Sequence, residues 1–248
     1  MLNIPFKKKL FSDAQYLLLK EIGINLLTNK DLNCLNKREI VNFIKEDLLI
    51  KNVHQSNENN DGDFSQSLKS NILNCKSCSL CNSRKNVVVG SGSTSIGSWM
   101  IIGEAPGEQE DLKGMPFAGK SGNLLDEMLR SVGIIDRSEC FITNVVKCRP
   151  PGNRNPRTEE VEECRPFLLE QINLLKPSKI IVLGKIAANA ILSNKNSIGE
   201  LRGRVHYFIS KDSRRIPVIV SYHPAYLLRR PEEKHLAWDD LCLAISVH

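Results

Sequence analysis

The pattern of apolar and polar positions changes character twice along this chain. Residues 10–50 carry apolar side chains at helical spacing: Leu17, Leu18, Ile22 and Leu26, then Ile40, Val41, Ile44, Leu48 and Leu49. That spacing predicts two amphipathic helices, the first capped by Ser12 or Asp13. Residues 51–70, KNVHQSNENNDGDFSQSLKS, hold almost nothing to bury and read as a flexible linker. From residue 71 onward, short apolar runs alternate with helical patterns. The runs are 99–103, 141–146, 179–184 and 217–221, each strand-like in length and in Ile and Val content.

Between the runs, Leu124, Leu125, Met128, Leu129 and Val132 share one helical face. Val161, Cys164, Leu168, Ile172 and Leu175 share another, behind Thr158 as N-cap and acids in the first turn. Residues 184–192 form a third helix, and Pro231 opens a last one through Leu236, Leu241 and Ile245. Strands alternating with helices predict an α/β fold: a parallel sheet covered on both faces. The chain divides into a helical N-terminal extension (1–50), a linker (51–70) and an α/β domain (71–248). In such sheets a ligand sits at the carboxyl ends of the strands. Those ends are GEAPGEQED, TNVVKCRPPGNRNP, LGK and SYHPAYLLRR, three of them crowded with polar, Gly and Pro residues.

Composition narrows this little. With 41% hydrophobic and 25% charged residues in 248, the chain has the make-up of a soluble globular protein with one core of ordinary size. A net charge of +6 fits a polyanionic partner without requiring one. No apolar run approaches the ~20 residues that span a bilayer. The N-terminus lacks a long apolar core and a small-residue cleavage site, so the expectation is a cytoplasmic protein with no membrane partner. In that setting the eight cysteines point away from disulfides and toward a metal or cluster.

GMPFAGKSG, residues 114–122, matches the phosphate-loop pattern G-x-x-x-x-G-K-[ST]. The match lacks its context. GEQEDLK before it is polar and no strand, and Pro116 removes a backbone donor the cradle would use. No later strand ends in an acid to hold magnesium, so a nucleotide hydrolase is disfavoured.

Cys75 and Cys78 form C-x-x-C; Cys148 and Cys164 stand fifteen residues apart, after a strand and inside a helix. Four thiolates at one point would tie the segment before the sheet to a strand–helix connection. Zinc and a [4Fe–4S] cluster both accept four thiolates, and the long second gap fits the tight knuckles of zinc poorly. Cys81 competes for a place in the set. Cys34, Cys140 and Cys242 fall on apolar segments and read as buried inert thiols.

Taken together, GEAPGEQED, GMPFAGKSG, TNVVKCRPPGNRNP and HPAYLLR, with the four cysteines in this order, resemble the family 4 uracil-DNA glycosylases. The resemblance runs from about residue 74 to the C-terminus. It implies a three-layer α/β/α sandwich with a four-stranded, mainly parallel sheet. It implies a structural [4Fe–4S] cluster on Cys75, Cys78, Cys148 and Cys164, and no nucleotide cofactor. The implied activity is monofunctional: hydrolysis of the N-glycosidic bond of deoxyuridine in single- or double-stranded DNA, leaving an abasic site. The expectation is then a nucleoid-associated monomer. The first 70 residues are left to dock a replication or repair partner or merely to extend the fold.

The residues can be read beside that resemblance. A base inside a duplex must be flipped out to be cut off its sugar. Phe117, in a loop of small residues, supplies a face to stack on it. Asn144, at the end of a strand, presents the acceptor and donor that uracil N3–H and O4 require, and cytosine would leave both unpaired. His223, at another strand end, is placed to donate to uracil O2 as negative charge develops there. Backbone N–H groups of the turn Glu104-Ala105-Pro106-Gly107 can also meet the base. Among the acids of GEAPGEQED, the sequence alone does not choose the one that positions water. The family pattern gives that role to Glu110, with Asn153 as its hydrogen-bond partner, and places Ala105 where cluster-free relatives carry a catalytic Asp. Phosphate contacts are expected from Lys120, Arg149, Arg154, Arg157, Arg202, Arg204 and Arg229. One of Tyr226, Leu227, Leu228 and Arg229 would fill the gap left by the flipped base. A non-catalytic DNA-binding cluster protein is the rival reading.

Overall fold

The computed structural model describes residues 63–247. The two helices read from 10–50, Cys34 and the linker up to residue 62 lie outside them. The last part of the segment read as linker is helical: α1 spans Asp63–Leu73 and seats the buried Ile72.

Six strands form one sheet: β1 (Ser91–Gly92), β2 (Trp99–Gly103), β3 (Cys140–Asn144), β4 (Ile180–Leu183), β5 (Val205–Ile209) and β6 (Arg215–Ser221). Their order is β1-β3-β2-β4-β6-β5. The four central strands are parallel and coincide with the four apolar runs of the sequence. The expected count of four is corrected to six, because β1 and β5 pair antiparallel on the two edges. Neither edge strand is an unbroken apolar run. β1 has two residues, and β5 leaves Tyr207 and Ile209 exposed.

The helices are α2 (Glu108–Lys113), α3 (Lys120–Ser131), α4 (Thr158–Leu175), α5 (Lys185–Leu192), α6 (Ile198–Leu201), α7 (Pro224–Arg229) and α8 (Lys234–Ser246). Pro231 opens a short 3-10 turn, Pro231–Glu233, and α8 begins after it.

Strand alternation divides the core. Met100, Ile102, Ile180, Val182, Val218 and Val220 pack with Cys164, Leu168 and Ile172 of α4 and Ala187, Ala188 and Ile191 of α5. Ile101, Ile142, Ile181 and Ile219, one position out of step, are equally buried and point to the opposite face. That face belongs to Leu125, Met128 and Leu129 of α3 and to Trp238, Leu241 and Ala244 of α8. The result is the three-layer α/β/α sandwich, with the polar loops at the carboxyl ends of the parallel strands. A helix, α2, precedes GMPFAGKSG where a phosphate loop needs a strand, so the nucleotide-hydrolase reading has no structural footing.

Candidate active site

Four side chains expected from the sequence meet at those carboxyl ends. Gly103 closes β2 and Asn144 closes β3, side by side in register. A Cβ on Gly103 would lie 2.3 Å from Asn144 Oδ1 and 2.8 Å from Phe117 Cζ. The missing side chain is therefore the space in which a carboxamide and an aromatic ring come together. Asn144 is 1% exposed and Phe117 4%, with Phe117 held at a positive φ of 52°. A bulky residue adopts that backbone only where its surroundings impose it.

Glu110, on α2, is the hub. Its Oε2 accepts the Gly107 N–H at 2.7 Å, and its Oε1 accepts the Phe117 N–H at 2.5 Å and Asn144 Nδ2 at 3.4 Å. One carboxylate thus fixes the GEAPG turn, the aromatic and the carboxamide. The Gly107 N–H expected to face the base is spent on Glu110. In the same turn, Glu104 is half-buried, which raises its carboxyl above the usual carboxylate range. Its carbonyl accepts the Val146 N–H, while Ala105 packs against the core.

The expected bond from Glu110 to Asn153 is not formed. Asn153 ends the exposed 3-10 turn Pro151–Asn153 at φ 54°, and its Oδ1 accepts Arg149 Nε at 2.7 Å. That local turn captures the carboxamide four residues from Arg149, while Glu110 accepts from the Gly107 and Phe117 N–H groups and Asn144 Nδ2 instead.

His223 follows β6 and caps α7. Its Nδ1 accepts the Ala225 N–H at 3.1 Å, and its ring stacks on Phe117 with centroids 5.4 Å apart and planes 25° apart. Burial, then the Arg229 guanidinium, push its pKa down to about 4. A neutral ring whose Nδ1 is an acceptor carries its proton on Nε2, so it is a hydrogen-bond donor without being a cation.

The rim of the site holds the residues expected to face DNA. Lys120 is the exposed first residue of α3, and Arg149 lies 3.9 Å from Glu108. In α7, Leu227 is buried and Tyr226 donates its hydroxyl to Glu233 while stacking on Tyr222. Leu228, 43% exposed, and Arg229 are left facing outward. Three other arginines have internal work instead. Arg154 forms a bidentate pair with Glu160 at 2.6 and 2.8 Å. Arg202 pairs with the fully buried Asp240 at 3.0 Å and lies over the Tyr222 ring. Arg204 donates to the Glu200 carbonyl.

Cys75, Cys78, Cys81, Cys148 and Cys164 line one cavity between α1, the strand–helix connection after β3 and α4. None is in a disulfide. Arg84 Nη1 donates to Cys148 Sγ at 3.0 Å and the Lys147 N–H to Cys164 Sγ at 3.3 Å; burial pushes both thiols up, Cys164 to about 11, and these two bonds work against that rise. Among the described residues no three His, Cys, Asp or Glu side chains converge on a single metal ion. A four-iron cluster asks something different of its ligands: one thiolate per iron, spread around a cavity. The donor set fits that group. Cys140 is buried, as expected, and burial pushes its thiol up to about 12.

Two residues that no sequence pattern had marked complete the frame. Lys147 is 1% exposed, and its Nζ donates to Thr143 Oγ1, the Asn144 carbonyl and Gln171 Oε1 at 2.6–2.7 Å. All three of its donors are satisfied, which is what makes a buried ammonium tolerable. It anchors the backbone of Asn144 to α4. The other residue is Arg137, whose guanidinium donates to the Pro116 and Phe117 carbonyls.

Comparison with known proteins agrees with this geometry. Residues 91–242 match the model of the uracil DNA glycosylase superfamily. The type-4 uracil-DNA glycosylase of Pyrobaculum aerophilum is 45% identical over 170 residues, 67% of this chain and 85% of that protein. The type-4 enzyme of Archaeoglobus fulgidus is 42% identical, covering 65% of this chain and 81% of the relative. That of Thermotoga maritima is 43% identical, covering 64% and 80%. With an α/β/α sandwich, a carboxamide, a histidine and a carboxylate at its strand ends, and these relatives, the chain belongs to the type-4 branch of the uracil-DNA glycosylase superfamily.

Proposed function

We propose that this protein takes a uracil nucleotide flipped out of DNA and hydrolyses its N-glycosidic bond, releasing uracil and leaving an abasic site. One observation carries the reading: Phe117, Asn144, His223 and Glu110 converge at the carboxyl ends of three parallel strands, each with its orientation already fixed by other bonds. Such preorganisation is what a site needs if it is to act on developing charge without reorganising.

In this reading the uracil ring stacks on Phe117, and Asn144 pairs with N3–H and O4. As the bond from C1′ to N1 breaks, its electron pair moves into the base and charge collects on O2. The neutral His223 donates Nε2–H to that oxygen. Glu110 faces the sugar; a carboxylate has about four lone-pair sites, so the N–H groups it accepts leave room for a water. Water adds to C1′ and loses its proton, and the departing base is protonated in its turn. Leu228 enters the gap in the stack, while Lys120, Arg149 and Arg229 lie against phosphates, with Asn153 holding Arg149 in place. Cys75, Cys78, Cys148 and Cys164 would hold a [4Fe–4S] cluster, which supplies structure and no step of the reaction.

The test is incubation of the purified full chain with a uracil-containing oligonucleotide, followed by alkali. Strand scission at uracil is expected and none at cytosine. No scission, either in a single strand or opposite guanine, overturns the reading.

A further inference from the structure

Phe117 is held from both sides, and neither hold was expected from the sequence. Its N–H goes to Glu110, in the acidic loop. Its carbonyl accepts Arg137 Nη2 at 2.9 Å, and the neighbouring Pro116 carbonyl accepts Arg137 Nη1 at 3.1 Å. Arg137 is itself aimed by Asp126 of α3, which accepts its Nε at 2.5 Å and its Nη2 at 3.1 Å. The guanidinium therefore spends its fork on one carboxylate and two consecutive carbonyls of the aromatic loop, a geometry a lysine has no atoms to copy.

Arg137 is well placed to be rigid. It opens the 3-10 turn Arg137–Glu139, which is closed by a capping box between Asp136 and Glu139 and runs straight into β3. The seat is tight on the other side as well. A Cβ on Gly122, in the first turn of α3, would lie 1.6 Å from the Phe117 carbonyl oxygen and 2.8 Å from Arg137 Nη2. Phe117 at φ 52° is the strained residue at the centre of these contacts.

We infer that the Asp126–Arg137 pair is a positioning device for uracil cleavage: it locks the Phe117 loop in its left-handed conformation, so that the ring is already in place when the base arrives. Arg137 touches no substrate in this scheme; it acts through Phe117. The inference rests on the uracil-glycosylase reading above.

The experiment is a double-mutant cycle of single-turnover cleavage rates on a uracil oligonucleotide, using the full chain as purified. It comprises wild type, Arg137→Lys, Phe117→Ala and the double variant, with oligonucleotide binding measured for each. If wild type does not cleave, the functional reading fails and the clamp is moot with it. If it cleaves, Arg137→Lys should slow the reaction about tenfold or more with binding nearly unchanged, because a small misplacement of a substrate-positioning group costs rate. In the Phe117→Ala background the same substitution should cost less than about twofold, since its only route to the base has been removed. An undiminished rate in Arg137→Lys, or equal losses in both backgrounds, overturns the inference. Should Arg137→Lys not fold, Asp126→Asn carries the same cycle. If neither variant folds, the pair is holding up the fold rather than the loop, and the inference is wrong.

Discussion

His223 Nδ1 accepts the backbone N–H of Ala225 at 3.1 Å, and that bond settles which ring nitrogen carries the proton. With its pKa pushed from 6.5 down to about 4, first by burial and then by Arg229, the ring is a neutral Nε2–H donor throughout the physiological range. The rate of uracil release, measured as kcat/KM, should therefore show no inflection from His223 near its ordinary pKa. Loss of the neutral donor begins only as pH approaches about 4. Stability follows with the same sign. Between pH 6.5 and about 4 the unfolded chain binds a proton that the folded chain refuses, so this contribution is complete above 6.5 and is lost as pH falls toward 4. NMR titration of the His223 ring checks both statements; a midpoint near 6.5 would sink them. His223→Ala should keep the fold and lose about 100-fold or more in rate, the scale of one lost oxyanion donor.

Glu110 has two duties, and a variant should reveal both. In Glu110→Gln one oxygen is replaced by a donor, which then faces either the Gly107 or the Phe117 N–H. An orphaned buried donor costs about 1–3 kcal/mol. Urea denaturation should show a loss of that size, and single-turnover cleavage a loss of about 100-fold. An equally stable, fully active Glu110→Gln would remove Glu110 from the centre of the site.

Gly103 tests the space shared by Asn144 and Phe117. In Gly103→Ala the new methyl meets the ends of two side chains, Asn144 Oδ1 and Phe117 Cζ, rather than backbone. Overpacking of this kind costs about 1–3 kcal/mol. Because both displaced groups are the ones proposed to hold uracil, activity should fall about 100-fold or more while the thermal transition remains cooperative. A rate within twofold of wild type would show that the base does not lie between these groups.

These residues also show how far the sequence could be read. The four parallel strands were legible because strands buried on both faces are unbroken apolar runs, such as Met100–Ile101–Ile102 and Ile180–Ile181–Val182. The edge strand β5 was not: His206 interrupts its apolar run, and its apolar Tyr207 and Ile209 lie exposed, so no buried face marks it. Asn144 and His223 were legible from their places at strand ends. Arg137 was invisible for a physical reason: its partners are main-chain carbonyls about twenty residues earlier, and a carbonyl has no letter in the sequence. The Glu110–Asn153 pairing came from the family pattern. It yielded to shorter-range competition, because Arg149 lies four residues from Asn153 and reaches it first.

The cysteine cavity makes a prediction about composition. Cys75, Cys78, Cys81, Cys148 and Cys164 all line the cavity, and the family pattern selects the four other than Cys81, whose Sγ donates to Asn82 Oδ1 at 3.4 Å. Protein purified without oxygen should carry a broad visible absorption and iron, both lost in Cys148→Ser and both kept in Cys81→Ser. Chelating the iron should lower the melting temperature, because a bound group that ties α1 and the 3-10 turn Ser79–Asn82 to α4 stabilises only the folded state. Zinc in place of iron, or unchanged iron in Cys148→Ser, would contradict the assignment.

Leu228 allows the flipping step to be isolated from the chemistry. It is 43% exposed, it stands five residues beyond His223 on α7, and its neighbour Leu227 carries the packing of that helix. Leu228→Ala should therefore leave stability within about 0.5 kcal/mol of wild type, as surface substitutions usually do. If its side chain fills the gap in the stack, the variant should lose about tenfold in rate on uracil in a duplex, where the base must be extruded and kept out. On a single strand there is no stack to refill, and the rate should be unchanged. The ratio of the two rates is the measurement. Equal losses on both substrates would mean that Leu228 acts on the bound nucleotide itself. No loss on either would pass the wedge role to Arg229, whose side chain is the other one that α7 leaves exposed.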